Sequence, residues 1–333
     1  MIFFLLVHIL CKEVDNMMYE ENQRIRQQIL PVLAKQLSKV LEKQELDFAQ
    51  LQEIRLREEK PITIVYHGRE KFLFGENGNS IVVRGRDIQE TLDYISNYSL
   101  YAYENELRQG FITLEGGHRV GVAGQTILEG KQVKNMRYIS SMNIRIAHEV
   151  KGCADTVIPY ISREKELCHT LLISPPRCGK TTLLRDIVRQ SSDGCKFVKG
   201  TTVGVVDERS EIGGCYQGVP QNDLGIRTDV LDCCPKAEGM LLMIRSMSPR
   251  ILAVDEIGTK EDVQAIEYAL HCGCTMLATA HGTSLDELRE KPLFDHLIER
   301  KQFERYVVLS NRRKTGYVEG VYDERGRQLC KNS

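Results

Sequence analysis

The stretch that most constrains the fold is Thr170–Asp186, which reads TLLISPPRCGKTTLLRD. It begins with an apolar run typical of a short buried strand, passes through a turn of prolines and glycine, and continues into apolar residues at helical spacing. The order is therefore strand, glycine-bearing loop and helix. A helix N-terminus offers unpaired N–H groups and the positive end of its dipole, so this order favours phosphate binding.

The loop matches the phosphate-binding pattern G-x-x-x-x-G-K-[ST] except at its first position, where Ser174 replaces glycine. Gly179 lets the backbone approach phosphate oxygens, Lys180 reaches the β- and γ-oxygens, and the Thr181 hydroxyl holds Mg²⁺. The alternative is a strand-turn-helix with an incidental lysine. The residues expected to hold ATP are Ser174, Pro175, Pro176, Arg177, Cys178, Gly179, Lys180, Thr181 and Thr182.

Bulk composition excludes little. The 333 residues suffice for two domains with their own cores. A net charge of −1 gives no support for a general nucleic-acid binder, which usually carries a basic excess. The eleven cysteines lack the paired spacing of zinc knuckles, which favours reduced thiols over a metal site.

Residues 1–18 are an apolar N-terminal extension. The apolar run at 2–10 is shorter than the roughly 20 residues that span a bilayer, and it lacks the basic region and cleavage site of a signal peptide. It is either a weak membrane-associating segment or sequence upstream of the true start. Met17 and Met18 directly precede the first helical pattern and favour the second interpretation.

Residues 19–150 predict a smaller α+β domain. Residues 22–48 have the pattern of an amphipathic helix interrupted by Pro31, residues 86–107 that of a second helix, and short alternating runs predict an antiparallel sheet. Its most suggestive residues are arginines near predicted strand ends: Arg55, Arg57, Arg119, Arg137 and Arg145. Each is either a solvated structural arginine or a finger that reaches a nucleotide in a neighbouring domain or subunit.

Residues 151–333 predict a second domain in which apolar strands end in acidic residues. One run ends in Asp207-Glu208-Arg209 and another, Ile251–Val254, ends in Asp255-Glu256. Carboxylates at the C-terminal ends of parallel strands lie on the ligand side of the sheet. We therefore expect Asp255 to hold the Mg²⁺ shell and Glu256 to activate water, with Glu208 as the rival base.

Three further features belong to this domain. Residues 275–280 predict a buried strand followed by His281, which either senses the γ-phosphate or caps the next helix. Thr259-x-x-Asp262 has the pattern of a capping box. The loop at 213–235 is too long for a simple connector, so we expect it to be functional.

These motifs together resemble the secretion-type ATPases, the RecA-like hexameric motors of type II and type IV secretion and pilus assembly. The resemblance covers the phosphate loop, an acidic box at 207–209, a Walker B strand at 251–256 and a histidine box at 279–282. From about residue 50 to 282 the chain is more closely similar to the stage III sporulation protein AA family of endospore-forming bacteria. Stretches that carry this similarity are EIRLR at 53–57, GGHRVGVAG at 116–124, NIRIAHEVKGCAD at 143–155 and GIRTDVLD at 225–232.

The resemblance implies an α/β fold in which a RecA-like P-loop ATPase domain follows the smaller N-terminal α+β domain. It implies a Mg²⁺-dependent ATPase, assembled as a homo-oligomeric and hexameric ring, that powers or assembles a channel between mother cell and forespore. Such a motor is cytoplasmic in the mother cell and docks on inner-membrane components without a transmembrane span of its own. Arg119 and Arg145 are the implied arginine fingers.

Two other classes of function remain open. One is a nucleotide-dependent assembly scaffold with little turnover. The other is a nucleic-acid-directed ATPase, which the absence of an added nucleic-acid-binding tail before Ser333 disfavours.

Overall fold

The computed structural model describes residues 19–75, 77–130, 132–312 and 316–330. The apolar extension at 1–18 lies outside the described residues. The chain divides into two compact units, the first ending at His148 and the second beginning at Glu149. In the described ranges, no helix is long and apolar enough to cross a membrane.

The strands of the first unit are β1 Leu51–Arg57, β2 Thr63–Tyr66, β3 Arg69–Phe72, β4 Phe111–Thr113, β5 Arg119–Glu129 and β6 Gln132–Arg145. They form an antiparallel sheet at the centre of this unit, in the order β3-β2-β1-β6-β5-β4. On β1, Ile54 and Leu56 are buried while Arg55 and Arg57 face the other side, because successive side chains of a strand alternate between its faces. The alternation places the arginines away from the core.

The helices of this unit are shorter than the sequence pattern predicts. They are α1 at residues 19–29, α2 Lys35–Lys43, α3 Gly85–Ile95 and α4 Glu104–Gln109. The interruption predicted at Pro31 is present, because Pro31 lies in a 3-10 turn between α1 and α2, but α2 already ends at Lys43. A single helix over 86–107 is wrong, since Asn97 and Tyr98 adopt left-handed backbone conformations, with φ of 47° and 61°.

The first two strands of the second unit, β7 Ser162–Arg163 and β8 Glu166–Leu167, form a small hairpin. The strands that follow are β9 Thr170–Ser174, β10 Val203–Asp207, β11 Thr228–Asp232, β12 Ile251–Val254, β13 Thr275–His281, β14 Arg305–Ser310, β15 Tyr317–Asp323 and β16 Gln328–Cys330. They form one sheet in the order β11-β10-β12-β13-β9-β14-β15-β16. The strands from β11 to β14 in this order are parallel, and β15 and β16 continue the sheet antiparallel. All residues of β9 are buried, as expected for a parallel strand covered on both faces.

Helices cover the two faces of this sheet. They are α5 Lys180–Asp193, α6 Lys236–Met247, α7 Lys260–His271, α8 Leu285–Arg289 and α9 Pro292–Glu299. Leu171 and Ile173 of β9 pack into one apolar cluster and Leu172 into the other. The sheet is therefore the middle layer of three.

One segment of the second unit differs from the sequence prediction. The segment at 213–235 is not a loop throughout, because Thr228–Asp232 forms the edge strand β11 beside β10. After β13 the chain forms the two helices α8 and α9, and Pro292 begins the second of them. The capping box is present as predicted: Thr259 Oγ1 accepts the Asp262 N–H over 3.1 Å, and the Asp262 carboxylate accepts the Thr259 N–H over 3.0 Å.

Candidate functional site

The candidate site lies where the parallel strands β9, β10, β12 and β13 end. Their registers bring the carboxyl ends of these strands to one edge of the sheet. Ligands of open parallel sheets bind at this edge. The phosphate loop, the two acidic pairs and His281 all follow or end these strands, so the fold brings them to the same edge.

The loop between β9 and α5 presents the first turn of a helix to this edge. Ser174 ends β9, the loop consists of Pro175, Pro176, Arg177, Cys178 and Gly179, and α5 begins with Lys180, Thr181 and Thr182. Gly179 caps the helix in the left-handed conformation, with φ of 79° and ψ of 16°, which glycine adopts without strain. In the described part of the chain, no side chain caps this helix. The N–H groups of its first turn therefore suit an anion.

Lys180 points at the acidic pair that follows β12. Its side chain is only 6% exposed, and its Nζ lies 3.2 Å from Glu256 Oε1 and 3.9 Å from Asp255 Oδ1. A buried ammonium requires charged or hydrogen-bonding partners, and these carboxylates provide them. The helix that follows the phosphate loop is thus in direct contact with the acidic pair at the end of the Walker B strand.

Hydrogen bonds fix the acidic pair itself. Thr181 Oγ1 donates to Asp255 Oδ2 over 2.8 Å. Thr279 on β13 donates its hydroxyl to Asp255 Oδ1 and accepts the backbone N–H of Glu256 over 2.8 Å. A threonine hydroxyl and a carboxylate are oxygen ligands of the kind that Mg²⁺ takes, so Thr181 and Asp255 are the residues that would hold it.

Glu256 is surrounded by nitrogen groups. Lys180 Nζ and His281 Nε2 lie 3.2 and 3.0 Å from its Oε1, and Arg209 Nη1 lies 2.9 Å from its Oε2. Burial raises the pKa of Glu256, but Lys180, followed by His281 and Arg209, outweighs burial and lowers the pKa below its ordinary value. The carboxylate is therefore ionised at neutral pH.

The two members of the other acidic pair have different surroundings. Asp207 is 2% exposed and turns into its own loop, where it accepts the N–H groups of Glu211, Ile212 and Gly213 over 2.8 to 2.9 Å. Burial raises the pKa of Asp207 to about 6, although these hydrogen bonds act in the opposite direction. Glu208 instead forms an ion pair with Lys236 at the start of α6.

His281 is half exposed at the end of β13 and contacts Glu256. The following helix α8 is capped by Ser284, whose Oγ accepts the Glu287 N–H over 3.1 Å. The capping role considered for His281 thus belongs to Ser284, and His281 faces the acidic residue.

The two finger candidates belong to the first unit. Arg119 on β5 and Arg145 on β6 are direct cross-strand neighbours, and Arg145 pairs in register with Glu53 on β1. The Arg119 guanidinium lies 3.8 Å above the centre of the Phe111 ring, and Arg145 Nε lies 3.9 Å from Glu53 Oε1. The side chain of Arg145 is 61% exposed. The two arginines thus form one row on the sheet.

Three residues join the site without a role assigned from sequence: Thr279, Arg209 and Arg185. The alternation of β13 places Thr279 on the same face as His281, and this signal could have found it. Arg185 lies one helical turn after Thr181 and donates to the carbonyl oxygens of Glu211 and Ile212 over 2.9 and 3.0 Å. In the described residues, no group of three or more His, Cys, Asp or Glu side chains could hold a metal by itself.

The parallel sheet and its phosphate loop place the chain in a class, the RecA-like P-loop fold of the secretion ATPases. The ATPase DotB of Legionella pneumophila matches with a TM-score of 0.54 and 16% identity, covering 83% of this chain and 76% of that one. The pilus retraction motor PilT, solved with bound ADP, matches with a TM-score of 0.57 and 15% identity, covering 92% and 84%. The predicted fold class is confirmed.

The family follows from sequence comparison. The family model for sporulation stage III, protein AA matches residues 23–329. Stage III sporulation protein AA of Bacillus subtilis (strain 168) is 43% identical over 307 residues, which cover 92% of this chain and 97% of that protein. The chain belongs to the sporulation stage III protein AA family, as the sequence resemblance predicted.

Proposed function

We propose that this protein binds ATP with Mg²⁺ at the loop 174–182 and hydrolyses it. The observation that carries the proposal is the direct contact between the first residues of α5 and the acidic pair after β12. Lys180 lies 3.2 Å from Glu256, and Thr181 lies 2.8 Å from Asp255. Basic and hydroxyl groups for a polyphosphate thus meet carboxylates for a metal and a water molecule at one helix N-terminus.

Each residue has a stated part in this proposal. The amides of residues 179–181 and Lys180 hold the phosphates, while Thr181 and Asp255 hold Mg²⁺. Bound Mg²⁺ neutralises charge on the phosphate oxygens. Glu256 orients and activates water, and His281 lies beside it to sense the terminal phosphate. Glu208 is the weaker candidate for the base, because its ion-pair partner is Lys236 at the start of α6, whereas Glu256 contacts Lys180 of the phosphate loop.

We assign the activity to a secretion-type motor of sporulation. Family membership and the fold of the secretion ATPases support a role in powering or assembling a channel between mother cell and forespore. The protein would work in the mother-cell cytoplasm as a homo-oligomer, a hexameric ring docked on inner-membrane components of the channel. Arg119 and Arg145 would then act as fingers toward a nucleotide at a subunit interface.

A scaffold that binds ATP and turns it over slowly is the second candidate. The contacts of Glu256 with Lys180, Arg209 and His281 support it, since a carboxylate held by such groups with a lowered pKa is a weak base. Assembly driven by nucleotide binding alone would give this protein a structural part in the channel.

The test is ATP turnover of the purified full chain with Mg²⁺, compared with Lys180→Ala and with Lys199→Ala, an exposed lysine of the same unit, as control. We expect Lys180→Ala to lower turnover by about a hundredfold or more while circular dichroism stays unchanged, and we expect the control to behave as wild type. Equal turnover in all three proteins would refute the assignment of the phosphate loop. Nucleotide-dependent assembly without turnover would favour the scaffold.

A further inference from the structure

We propose that Arg209 is a binding residue for the terminal phosphate of a nucleoside triphosphate, and that this phosphate and the Glu256 carboxylate compete for Arg209 and Lys180. The inference rests on the proposed function and adds the residue by which the site distinguishes triphosphate from diphosphate.

Three nitrogen donors surround the carboxylate of Glu256. Lys180 and His281 approach Glu256 Oε1, and Arg209 approaches Oε2 over 2.9 Å. Lys180 belongs to the first turn of α5, where the helix N-terminus itself attracts negative charge. Arg209 therefore points its guanidinium at an anion beside the phosphate loop. A phosphate group offers acceptor oxygens to the same donors.

The backbone of Glu256 adopts an unusual conformation. Its φ is 52°, a left-handed conformation that is unfavourable for glutamate. The hydrogen bond from its N–H to Thr279 Oγ1 maintains this conformation. The carboxylate thus reaches the donors from a fixed position, and it gives them up by rotation of its side chain alone.

Hydrogen bonds on both sides hold the loop that carries Arg209. Asp207 accepts N–H groups from residues 211–213 on one side of Arg209. Arg185 binds the carbonyl oxygens of Glu211 and Ile212 and so ties the same loop to α5. The position of the Arg209 backbone relative to the phosphate-loop helix is therefore fixed by buried and half-buried hydrogen bonds.

The side chain of Arg209, unlike its backbone, is free to change its partner. The Arg209 side chain is 63% exposed, in contrast to 6% for Lys180. It can leave Glu256 for a phosphate oxygen without opening the core. Because Lys180 lies at the helix N-terminus and the exposed Arg209 contacts the other oxygen of Glu256, we assign Arg209 to the phosphate farthest from the loop. An ATP analogue uses this contact, and ADP does not.

The experiment is equilibrium binding of ATP and of ADP, each with Mg²⁺, to the full chain and to Arg209→Ala. The control is Arg245→Ala, an exposed arginine on α6. We expect Arg209→Ala to weaken ATP binding about tenfold or more and to leave ADP binding within about twofold. Because Arg209 is exposed, this substitution leaves folding intact, and a thermal melt checks that. Equal effects on both nucleotides, or no effect on either, would overturn the inference.

Glu256→Gln tests the competition itself. The neutral amide holds Lys180 and Arg209 less strongly, so we expect ATP to bind several-fold more tightly than to wild type. In that background Arg209→Ala should cost more ATP affinity than it does in wild type, since no Arg209–Glu256 contact is lost at the same time. Additive effects would overturn the competition. A wild-type protein that binds neither nucleotide would overturn the proposed function together with this inference, whereas binding without discrimination would overturn the inference alone.

Discussion

Thr279 Oγ1 accepts the backbone N–H of Glu256 over 2.8 Å, so one hydroxyl on β13 fixes the backbone of the proposed base. The same hydroxyl donates to Asp255. Since β12 and β13 are parallel neighbours with Val254 beside Ala278, Thr279 lies directly beside Asp255. The geometry of the acidic pair therefore depends on a residue of the neighbouring strand.

Thr279→Val should impair the site while preserving the shape of the strand. The methyl group leaves the Glu256 N–H unpaired and removes a donor from Asp255. We expect the free energy of unfolding to fall by about 1–3 kcal/mol and Mg²⁺-dependent turnover to fall more than tenfold. Thr279→Ser keeps the hydroxyl and should retain most of both in urea unfolding and turnover assays. A valine variant with wild-type turnover would contradict this role.

Asp207 should be structural, although it stands in a motif that the sequence assigns to the ligand side. In Asp207→Asn an amide N–H₂ replaces one oxygen and meets N–H donors of the 211–213 backbone. We expect a loss of about 2–3 kcal/mol in the free energy of unfolding, measured with urea. Asp229→Asn, an exposed carboxylate on the neighbouring strand β11, should change it by less than about 0.5 kcal/mol. Similar values for the two variants would show that the Asp207 hydrogen bonds contribute little.

The stability of the first unit should depend on pH through His118. This buried imidazole accepts the Ala147 N–H at Nδ1 over 3.0 Å and lies 3.0 Å from Gln28 Oε1 at Nε2. Burial, followed by the charges of His148 and Arg24, lowers the pKa of His118 from 6.5 to about 4. The neutral form is favoured in the folded state, so the unfolded state takes up the proton first as pH falls. We expect the free energy of unfolding to fall between pH 6.5 and 4, by about 3 kcal/mol in total.

The measurement is urea unfolding at several pH values, followed by tyrosine fluorescence, for wild type, His118→Asn and His67→Asn. The His118 variant should be less stable at pH 7.5 and should lose this part of the pH dependence. His67 is exposed on the same unit, and its replacement should leave the pH dependence intact. Parallel pH profiles in wild type and His118→Asn would contradict the assignment.

The local order of strand, loop and helix could be predicted from sequence because it depends on nearby residues. The Thr170–Asp186 pattern specified β9 and α5, and Thr259 with Asp262 specified the start of α7. The break at Asn97 and Tyr98 was missed because one asparagine inside a helical pattern is a weak signal, although asparagine is enriched in the left-handed conformation. The edge strand β11 was missed for a related reason, because only its pairing with β10 makes the short Thr228–Asp232 run a strand.

At the site, residue types could be predicted and their partners could not. The sequence placed Lys180, Thr181, Asp255 and Glu256 in one motif set. It named Glu208 as a rival base, but it did not indicate that Asp207 is buried in its own loop or that Lys236 pairs with Glu208. Such distinctions depend on side-chain direction and on contacts between distant segments, which spacing along the chain does not contain.

The most direct test of the account is ATP turnover of the full chain with Mg²⁺, measured for wild type, Glu256→Gln and Glu208→Gln, with particle mass from light scattering. We predict that all three proteins fold, that ATP increases the mass of the wild type, and that Glu256→Gln lowers turnover about a hundredfold or more. Glu208→Gln should lower it much less, because Glu208 pairs with Lys236 of α6, whereas Glu256 contacts Lys180 of the phosphate loop. Unchanged turnover in Glu256→Gln, together with its loss in Glu208→Gln, would contradict the account and make Glu208 the base.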